Sequence, residues 1–317
     1  MKIRLTKAAA SAVGISIALL PAGPARAQYS FTTIDAPSAV NTIACGVSGN
    51  NIVGWYQLSN GGNPNGFLYN GSAWTTLNAP SGPNGTVAFD LSGNNVVGYY
   101  LDSGGNQNGF LYNGSTWSTL NAPSAVNTAV CGINGGNLVG YDIDGSGNQN
   151  GFLYNGSTWT TLTDPAAVKG TVAFDLYGSD IVGYYLDGGG VSHGFLYNGS
   201  TWTTLDDPLG TKGSAATDIE GNTIVGYYDD NNGITHGFVY NINTSIYTTV
   251  DDPLGVNGTS INGIDGNSLV GEYTDSNGHQ NGFFAMPAPE PASLALAAIG
   301  GICLQMVSRR FRESKKT

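Results

Sequence analysis

Between residues 28 and 291, this sequence contains almost no basic residues. Of the 11 lysines and arginines in the 317-residue chain, only Lys169 and Lys212 fall in this span, whereas 21 of the 22 acidic residues do. The span therefore carries a net charge of −19 with histidine neutral. A surface of this sign repels phosphate backbones and offers no basic patch to reverse that repulsion. Nucleic-acid binding is excluded, and solubility or binding of divalent cations is favoured.

Cysteine and runs of helix-forming residues are also scarce. Cys45 and Cys131 occupy equivalent positions in non-adjacent sequence repeats, and Cys303 lies near the C terminus. Because a disulfide needs Cα atoms about 4.4–6.8 Å apart, we expect Cys45 and Cys131 to be free and buried. The chain has 48 glycines. Such a composition indicates many short strands joined by tight turns, with essentially no helix.

Two sequence segments recur along the chain. The segment HGFLYNGSTWTTLDDP at 193–208 has close copies at 65–80, 108–123 and 150–165, and a looser copy at 236–253. A Val-Gly pair precedes each copy, and the glycines of these pairs are 44, 42, 43, 43 and 45 residues apart. The six glycines are Gly54, Gly98, Gly140, Gly183, Gly226 and Gly271. This period predicts six structural repeats rather than separate domains.

Each repeat reads as four short strands. In the repeat at 213–253, β-branched and aromatic residues cluster at 214–219, 223–228, 236–240 and 246–250, with turn-forming residues between them. Four antiparallel strands in about 43 residues predict one β-propeller blade. The strands are apolar on both faces, as expected for blades that stack on one another. At the glycine of each Val-Gly pair, we expect a neighbouring aromatic ring or backbone to approach closely.

The offset of the repeats predicts how the ring closes. The sixth copy, at 259–285, ends after its third strand, and residues 29–37 match the missing fourth strand. An N-terminal strand that completes the last blade leaves no sheet edge exposed. We therefore predict an all-β, six-bladed propeller of four-stranded blades over residues 28–286, with an open solenoid as the alternative.

The first 27 residues predict a secretory signal peptide. Three basic residues precede an apolar run at 8–20, and Ala-Arg-Ala at 25–27 provides a cleavage site. A transmembrane anchor is the alternative, but this run is shorter than the roughly 20 residues that span a bilayer.

The C-terminal segment combines three elements. Pro289, Glu290 and Pro291 precede an apolar stretch at 292–307, which predicts a short transmembrane helix, and Arg309, Arg310 and Arg312 follow as a cytoplasmic stop. This order resembles the PEP-CTERM sorting signal of bacterial surface and exopolysaccharide-associated proteins, over about residues 287–312. The resemblance implies that residues 287–317 form a sorting domain that is recognised by an exosortase-type membrane protease. It also implies transient anchoring in the inner membrane before transfer to the cell surface or release. A plain tail anchor is the alternative.

The repeats resemble a second family. The pattern Val-Gly-Tyr-Tyr at 182–185 followed by His-Gly-Phe-Leu-Tyr at 193–197 is similar to the HAF-type extracellular repeat. Glycine replaces the alanine of the family's triplet, and asparagine often replaces its histidine. The resemblance implies an extracellular protein and no particular activity.

Three acidic residues occupy one repeat position. Asp90, Asp175 and Asp218 each lie eight residues before a Val-Gly glycine, on the strand expected to be innermost. We expect them to line the channel. Paired carboxylates about 5–10 Å apart perform glycosidase chemistry, so a glycoside hydrolase or lyase is the enzymatic alternative.

One loop contains oxygen-bearing side chains at alternate positions. Asp142, Asp144, Ser146 and Asn148 follow this spacing around a glycine, which makes them candidate calcium ligands. Leu153 stands where an EF-hand has its bidentate glutamate, so an EF-hand is excluded. Asp and Asn also form ordinary turns. No other cofactor is expected.

The histidines vary with asparagine between repeats. His193 and His236 occupy the position of Asn65, Asn108, Asn150 and Asn281 in the other copies. This interchange predicts a side chain that bonds the loop backbone rather than a base or a metal ligand.

Together these features predict an exported, non-enzymatic surface or matrix protein that binds a glycan, an exopolysaccharide or another surface protein. A carbohydrate-active enzyme and a calcium-stabilised spacer are the alternatives.

Overall fold

The computed structural model describes residues 29–288, which form 24 β-strands and no helix. The signal segment and the sorting motif with its arginines lie outside the described residues. Among residues 29–288, no helix is long and apolar enough to cross a membrane. The strands are β1 Tyr29–Thr33, β2 Asn41–Ser48, β3 Asn51–Gln57, β4 Asn65–Tyr69, β5 Trp74–Leu77, β6 Thr86–Ser92, β7 Asn95–Leu101, β8 Gln107–Tyr112, β9 Trp117–Thr119, β10 Ala125–Asn134, β11 Asn137–Asp144, β12 Gln149–Tyr154, β13 Trp159–Leu162, β14 Gly170–Tyr177, β15 Asp180–Leu186, β16 Ser192–Tyr197, β17 Trp202–Leu205, β18 Gly213–Glu220, β19 Thr223–Asp229, β20 Thr235–Asn241, β21 Ile246–Val250, β22 Thr259–Asp265, β23 Ser268–Thr274 and β24 Gln280–Pro287.

The strands pair in sequence order into antiparallel meanders arranged as a propeller, which confirms the predicted fold class. Four sheets have four strands each, and a fifth sheet has eight, β10 to β17. The expectation of six separate four-stranded sheets is therefore wrong, because the third and fourth repeats share one sheet. A single parallel pairing between Gln149 of β12 and Gly170 of β14 joins these two meanders. Gly170 has a φ of 144°, and a Cβ there would lie 2.9 Å from the Cβ of Gln149, so only glycine lets the backbones meet.

At the other junctions between repeats, the position of Gly170 is occupied by either glycine or asparagine. Gly85, Gly213 and Gly258 are the counterparts of Gly170 and have φ values of 130°, 151° and 138°. In the first and third repeats, Asn41 and Asn127 replace the glycine. Their side-chain oxygens accept hydrogen bonds from the amides of Gln280 (3.1 Å) and Gln107 (2.7 Å) of the preceding repeat. An asparagine side chain thus replaces a close backbone contact.

The N-terminal strand completes the last sheet, as predicted. Residues of β1 pair with β24 from Tyr29 opposite Pro287 to Thr33 opposite Phe283. The core cluster that includes Phe67 of the first repeat also contains Val270 of the last and Ile34, which follows β1. The first and last sheets are therefore packed together, and the N-terminal strand holds the ring closed.

Each repeat has a fully buried phenylalanine that lies over the Val-Gly glycine. In the fourth repeat, Gly183 of β15 pairs with Phe195 of β16. A Cβ on Gly183 would lie 2.9 Å from the Phe195 ring and even closer to the carbonyl oxygen of Val172. The predicted close approach at this glycine is confirmed. The six phenylalanines are Phe67, Phe110, Phe152, Phe195, Phe238 and Phe283.

A buried hydroxyl fixes the start of every innermost strand. It accepts a hydrogen bond from a backbone amide in the loop that follows the preceding fourth strand, as Thr86 does from Ala79 at 2.9 Å. This bond gives one buried amide a partner where the chain passes from one blade to the next. The hydroxyls belong to Thr42, Thr86, Thr128, Thr171, Ser214 and Thr259.

Gly183→Ala should lower the free energy of unfolding by roughly 2–3 kcal/mol, because the added methyl group overpacks the contact with Phe195 and Val172. Gly136→Ala is the matched control, since a Cβ there meets no atom within 4 Å. Urea denaturation followed by tryptophan fluorescence measures both variants. Equal stability of the two would contradict the proposed role of the glycine.

Candidate functional site

The innermost strand of every repeat contains a β-bulge at the same repeat position. The register against the second strand shifts by one residue, for example between Ala88 and Asp90 in the second repeat. A bulge turns its extra side chain away from the regular alternation of the strand. All six bulged side chains line one cavity of about 350 Å³ in the channel. They are Cys45, Phe89, Cys131, Phe174, Thr217 and Asn262.

A second ring of side chains follows the Val-Gly glycines. Five repeats place an aromatic residue there, Trp55, Tyr99, Tyr141, Tyr184 and Tyr227, and the sixth places Glu272. Trp55, Tyr227 and Glu272 reach the cavity wall. Together with two bulged phenylalanines, the cavity therefore has four aromatic side chains and one carboxylate.

Hydrogen bonds hold the carboxylate of Glu272 in place. Its Oε2 atom accepts a hydrogen bond from the side-chain amide of Asn262, which also donates to the carbonyl oxygen of Ala44 at 2.9 Å. The hydroxyl of Ser260 donates to the Asn262 side-chain oxygen at 3.0 Å. Burial raises the pKa of Glu272 to about 7, although the bond from Asn262 works in the opposite direction. The carboxyl group is therefore poised between its charged and neutral forms at neutral pH.

The two cysteines of the cavity are free and buried, as predicted. Cys45 and Cys131 are bulged residues of the first and third repeats. Burial raises the pKa of the Cys45 thiol well above its usual value, and the charges of Glu272, Cys131 and Asp90 add to this effect. Burial also raises the pKa of Cys131. Both side chains therefore remain thiols at neutral pH and are poor nucleophiles.

The candidate channel residues Asp90, Asp175 and Asp218 lie on the innermost strands β6, β14 and β18, one residue after the bulge. Their carboxylates accept hydrogen bonds from amides of the next repeat: Asp90 from Ile133 at 2.8 Å, Asp175 from Ile219 at 3.3 Å and Asp218 from Ile264 at 2.8 Å. Each carboxylate thus ties its own blade to the following one. None of the three belongs to the wall of the cavity described above.

The pKa values of these three carboxyls are raised. Burial raises that of Asp90 to about 8, with a contribution from the charge of Asp218. Burial and the neighbouring carboxylates raise that of Asp175, and burial raises that of Asp218 although a hydrogen bond with Asp175 opposes it. Burial, together with repulsion between neighbouring carboxylates, therefore favours the neutral forms of these groups.

Two of the glycines at the corresponding position make room for an aspartate of the next repeat. A Cβ on Gly46 would lie 2.9 Å from the Cα of Asp90, and one on Gly132 would lie 2.7 Å from the Cα of Asp175. Glycine at these two positions therefore follows from packing around the axis.

The candidate calcium residues form a hydrogen-bonded turn. One oxygen of Asp144 accepts bonds from the amides of Ser146 (2.8 Å) and Asn148 (3.0 Å), and the other accepts from the Asn148 side chain at 2.9 Å. Asp142 pairs instead with Asn150 at 3.3 Å. Within residues 29–288, no group of three or more His, Cys, Asp or Glu side chains is placed to hold a metal ion. Calcium binding at this loop remains a prediction.

The histidines bond carboxylates, so the prediction that they bond the loop backbone is wrong. His193 contacts Asp206 at 2.7 Å and Asp187 at 3.7 Å. His236 makes the same two contacts with Asp251 and Asp230 at 3.0 and 3.8 Å.

The asparagines at the same repeat position do bond the loop backbone, as predicted. Asn108 donates to the backbone oxygen of Asn106 at 3.1 Å and accepts from Asn121 at 2.8 Å. Asp206 occupies the position of Asn121 in the fourth repeat, so a histidine there gains a carboxylate partner. Partial burial lowers the pKa of His193, but the bonds and charges of Asp206 and Asp187 outweigh it and raise the pKa.

The contacts of His193 also bring two loops of the fourth repeat together. Asp187 lies in the loop after the second strand, Asp206 lies in the loop after the fourth, and both contact His193. These two loops, each with a carboxylate, therefore meet at the same end of the ring in this repeat. Thr235, which begins β20 at this end, lines the cavity.

Comparison with known proteins gives similarity of fold alone. No protein-family model and no curated protein matches the chain. A mutant of the lectin from Aleuria aurantia in complex with alpha-methyl-L-fucoside is similar at a TM-score of 0.52 and 13% identity, over 81% of this chain and 99% of that one. The SapL1 lectin in complex with alpha-methyl fucoside gives a TM-score of 0.52 at 15% identity, over 80% and 98%. TolB from Acinetobacter baumannii gives 0.51 at 13% identity, over 80% of this chain and 66% of TolB. These neighbours support the propeller fold.

The buried carboxyls predict a protein that loses stability as pH rises. Because the pKa of Asp90 is raised to about 8 and that of Glu272 to about 7, the folded state binds more protons than the unfolded state between about pH 4 and pH 8. The free energy of unfolding should therefore be lower at pH 8 than at pH 5.5, and Asp90→Asn should flatten this dependence. Urea titrations at both pH values measure it. Stability that increases over this interval, or an unchanged slope in Asp90→Asn, would contradict the assignment.

Proposed function

We propose that this chain is an exported, non-enzymatic binding module of the bacterial cell surface or its exopolysaccharide matrix. The observation that carries the proposal is the channel cavity, to which each repeat contributes one bulged side chain. A cavity of about 350 Å³ whose walls include four aromatic side chains and a few polar groups has the features of a site for a small ligand.

The proposed ring has six blades. The eight-stranded sheet consists of two four-stranded meanders that share one residue pair, Gln149 and Gly170. Each meander has its own buried phenylalanine and its own bulge, as the separate sheets do. The sheet therefore acts as two blades, each contributing one residue to the cavity.

The structural contacts of the acidic side chains support a non-enzymatic role. The carboxylates of Asp90, Asp175 and Asp218 accept amide hydrogen bonds from neighbouring blades. Glycosidase chemistry needs one carboxyl as a proton donor and another facing the sugar or a water molecule. The carboxylates that tie the blades together are already engaged in that structural role.

Export is proposed from the sequence ends. In this proposal the signal segment directs the chain across the membrane, and an exosortase-type protease recognises Pro289–Pro291 before the mature protein reaches the surface. The apolar stretch and Arg309, Arg310 and Arg312 act as a transient anchor. The acidic, repeat-built body then faces surface polysaccharide.

A glycan is the proposed ligand. Aromatic faces such as Trp55, together with the carboxylate of Glu272, offer both stacking and hydrogen bonds to a sugar ring. The two similar lectins are solved in complex with a fucoside. That likeness is one of fold, and the proposed ligand class rests on the cavity.

Cell fractionation tests the proposal. In a host that has an exosortase, the wild-type chain should be shortened at both ends and recovered with the exopolysaccharide-rich matrix. A variant in which Pro289, Glu290 and Pro291 are replaced by alanine should keep its C terminus and stay in the membrane fraction. Immunoblotting of the fractions gives the result. Full-length wild-type protein in the cytoplasm, or identical processing of the variant, would contradict the proposal.

A further inference from the structure

The cavity contains one charged side chain in an otherwise aromatic ring of equivalent positions. Five repeats place Trp or Tyr after the Val-Gly glycine, and the sixth places Glu272. Among the described residues, no lysine or arginine lines the cavity, so the carboxylate has no cationic partner there. A carboxylate at this depth without a counter-ion is costly unless a ligand supplies the charge.

The hydrogen bonds around Glu272 leave one of its oxygens available. Asn262 donates to Oε2 and is itself fixed by the carbonyl oxygen of Ala44 and the hydroxyl of Ser260. The bond from Asn262 is made to Oε2 alone, so it holds the carboxylate in a fixed position from one side. Oε1 is the oxygen that this bond leaves for a ligand.

The aromatic walls are suited to a cation. The π faces of aromatic side chains attract ammonium groups, most strongly where water is excluded. Trp55, Phe89, Phe174 and Tyr227 surround the same cavity as Glu272. The strongly acidic body also raises the local concentration of cations around the ring.

We propose that the channel cavity binds a small organic ammonium group, as carried by an amino sugar, with its nitrogen beside Oε1 of Glu272 and its carbon atoms against the aromatic walls. The choice of an amino sugar rests on the proposed glycan function, whereas the ammonium site rests on the cavity alone. The volume of about 350 Å³ lies near the lower end for ligand sites, which suits one small molecule.

Protonation of Glu272 gives the site a measurable signature. The groups that face it are the thiol of Cys45 on β2 and the phenol of Tyr227 on β19, and burial raises the pKa of both so that they stay neutral between pH 6 and 8. Asp229 lies further along β19, where Thr235 donates to it at 2.7 Å. Because the pKa of Glu272 is about 7, a bound cation favours its charged form and releases a proton. Binding of a permanently charged cation should tighten about tenfold from pH 6 to pH 8.

Asp90 titrates in the same window, since its pKa is raised to about 8. A Glu272→Gln variant separates the contribution of Glu272 to the pH dependence of binding from that of Asp90. This substitution keeps the size of the Glu272 side chain and removes its charge. Asp102→Asn is the matched control, because it removes one charge from a loop after a second strand and keeps an acceptor for the amides of Gly104 and Asn106.

Isothermal titration calorimetry of the full-length chain in a non-ionic detergent tests the proposal, with choline, glucosamine and glucose as ligands at constant ionic strength. Choline and glucosamine should bind more tightly than glucose, and choline should show the tenfold pH dependence in the wild type. Glu272→Gln should weaken choline binding at least tenfold at pH 8 and remove its pH dependence. Asp102→Asn should stay within twofold of the wild type.

The outcomes separate this inference from the proposed function. Glucose that binds as tightly as glucosamine, with no effect of Glu272→Gln, would overturn the ammonium site and leave a glycan module in place. Choline binding that depends on Glu272 without binding of either sugar would support the ammonium site and contradict a sugar as its ligand. Absence of heat with choline and glucosamine at millimolar concentrations would overturn the inference, whatever the variants show.

Discussion

The contact between a glycine and a buried phenylalanine in each repeat is the constraint on which the structure depends. In the first repeat, Gly54 lies in one row of the sheet between Ala44 on the inner side and Phe67 on the outer side. Its lack of a side chain lets the ring of Phe67 cover the second strand while the innermost strand comes close from the other side. Cys45, next to Ala44, is the bulged residue. The row formed by Ala44, Gly54 and Phe67 therefore lies next to the bulge, whose side chain lines the cavity.

Every repeat keeps this glycine–phenylalanine contact, so the repeats differ chemically at other positions. One position carries Asp or Gly, and the Asp side chains tie successive blades together at the axis. Another carries an aromatic residue in five repeats and Glu272 in the sixth, which gives the cavity a single carboxylate. A third carries Asn or His, and the two histidines contact Asp206 and Asp251 in the loops after the fourth strands. Each substitution changes local chemistry and leaves the glycine–phenylalanine row intact.

The periodic features could be predicted from the sequence, and the local irregularities could not. The Val-Gly spacing and the match of residues 29–37 to a fourth strand were sufficient to predict the meanders and the ring closure. The shared repeat position on the innermost strand, however, pointed to Asp90, whereas the bulge turns its neighbour Phe89 into the cavity. In a run of small and apolar residues, a bulge cannot be recognised from a single repeat, so the ring of cavity residues was not predicted. The one available signal was the position before the Asp or Gly, whose residue type differs between repeats while its neighbours stay similar.

A crystal structure of the protein soaked with choline would show whether the bulged side chains and Glu272 form the ligand site of this propeller. We predict electron density for choline in the channel cavity, beside Glu272 and against Trp55 and Tyr227. Crystals in which the channel cavity holds no choline would contradict this assignment.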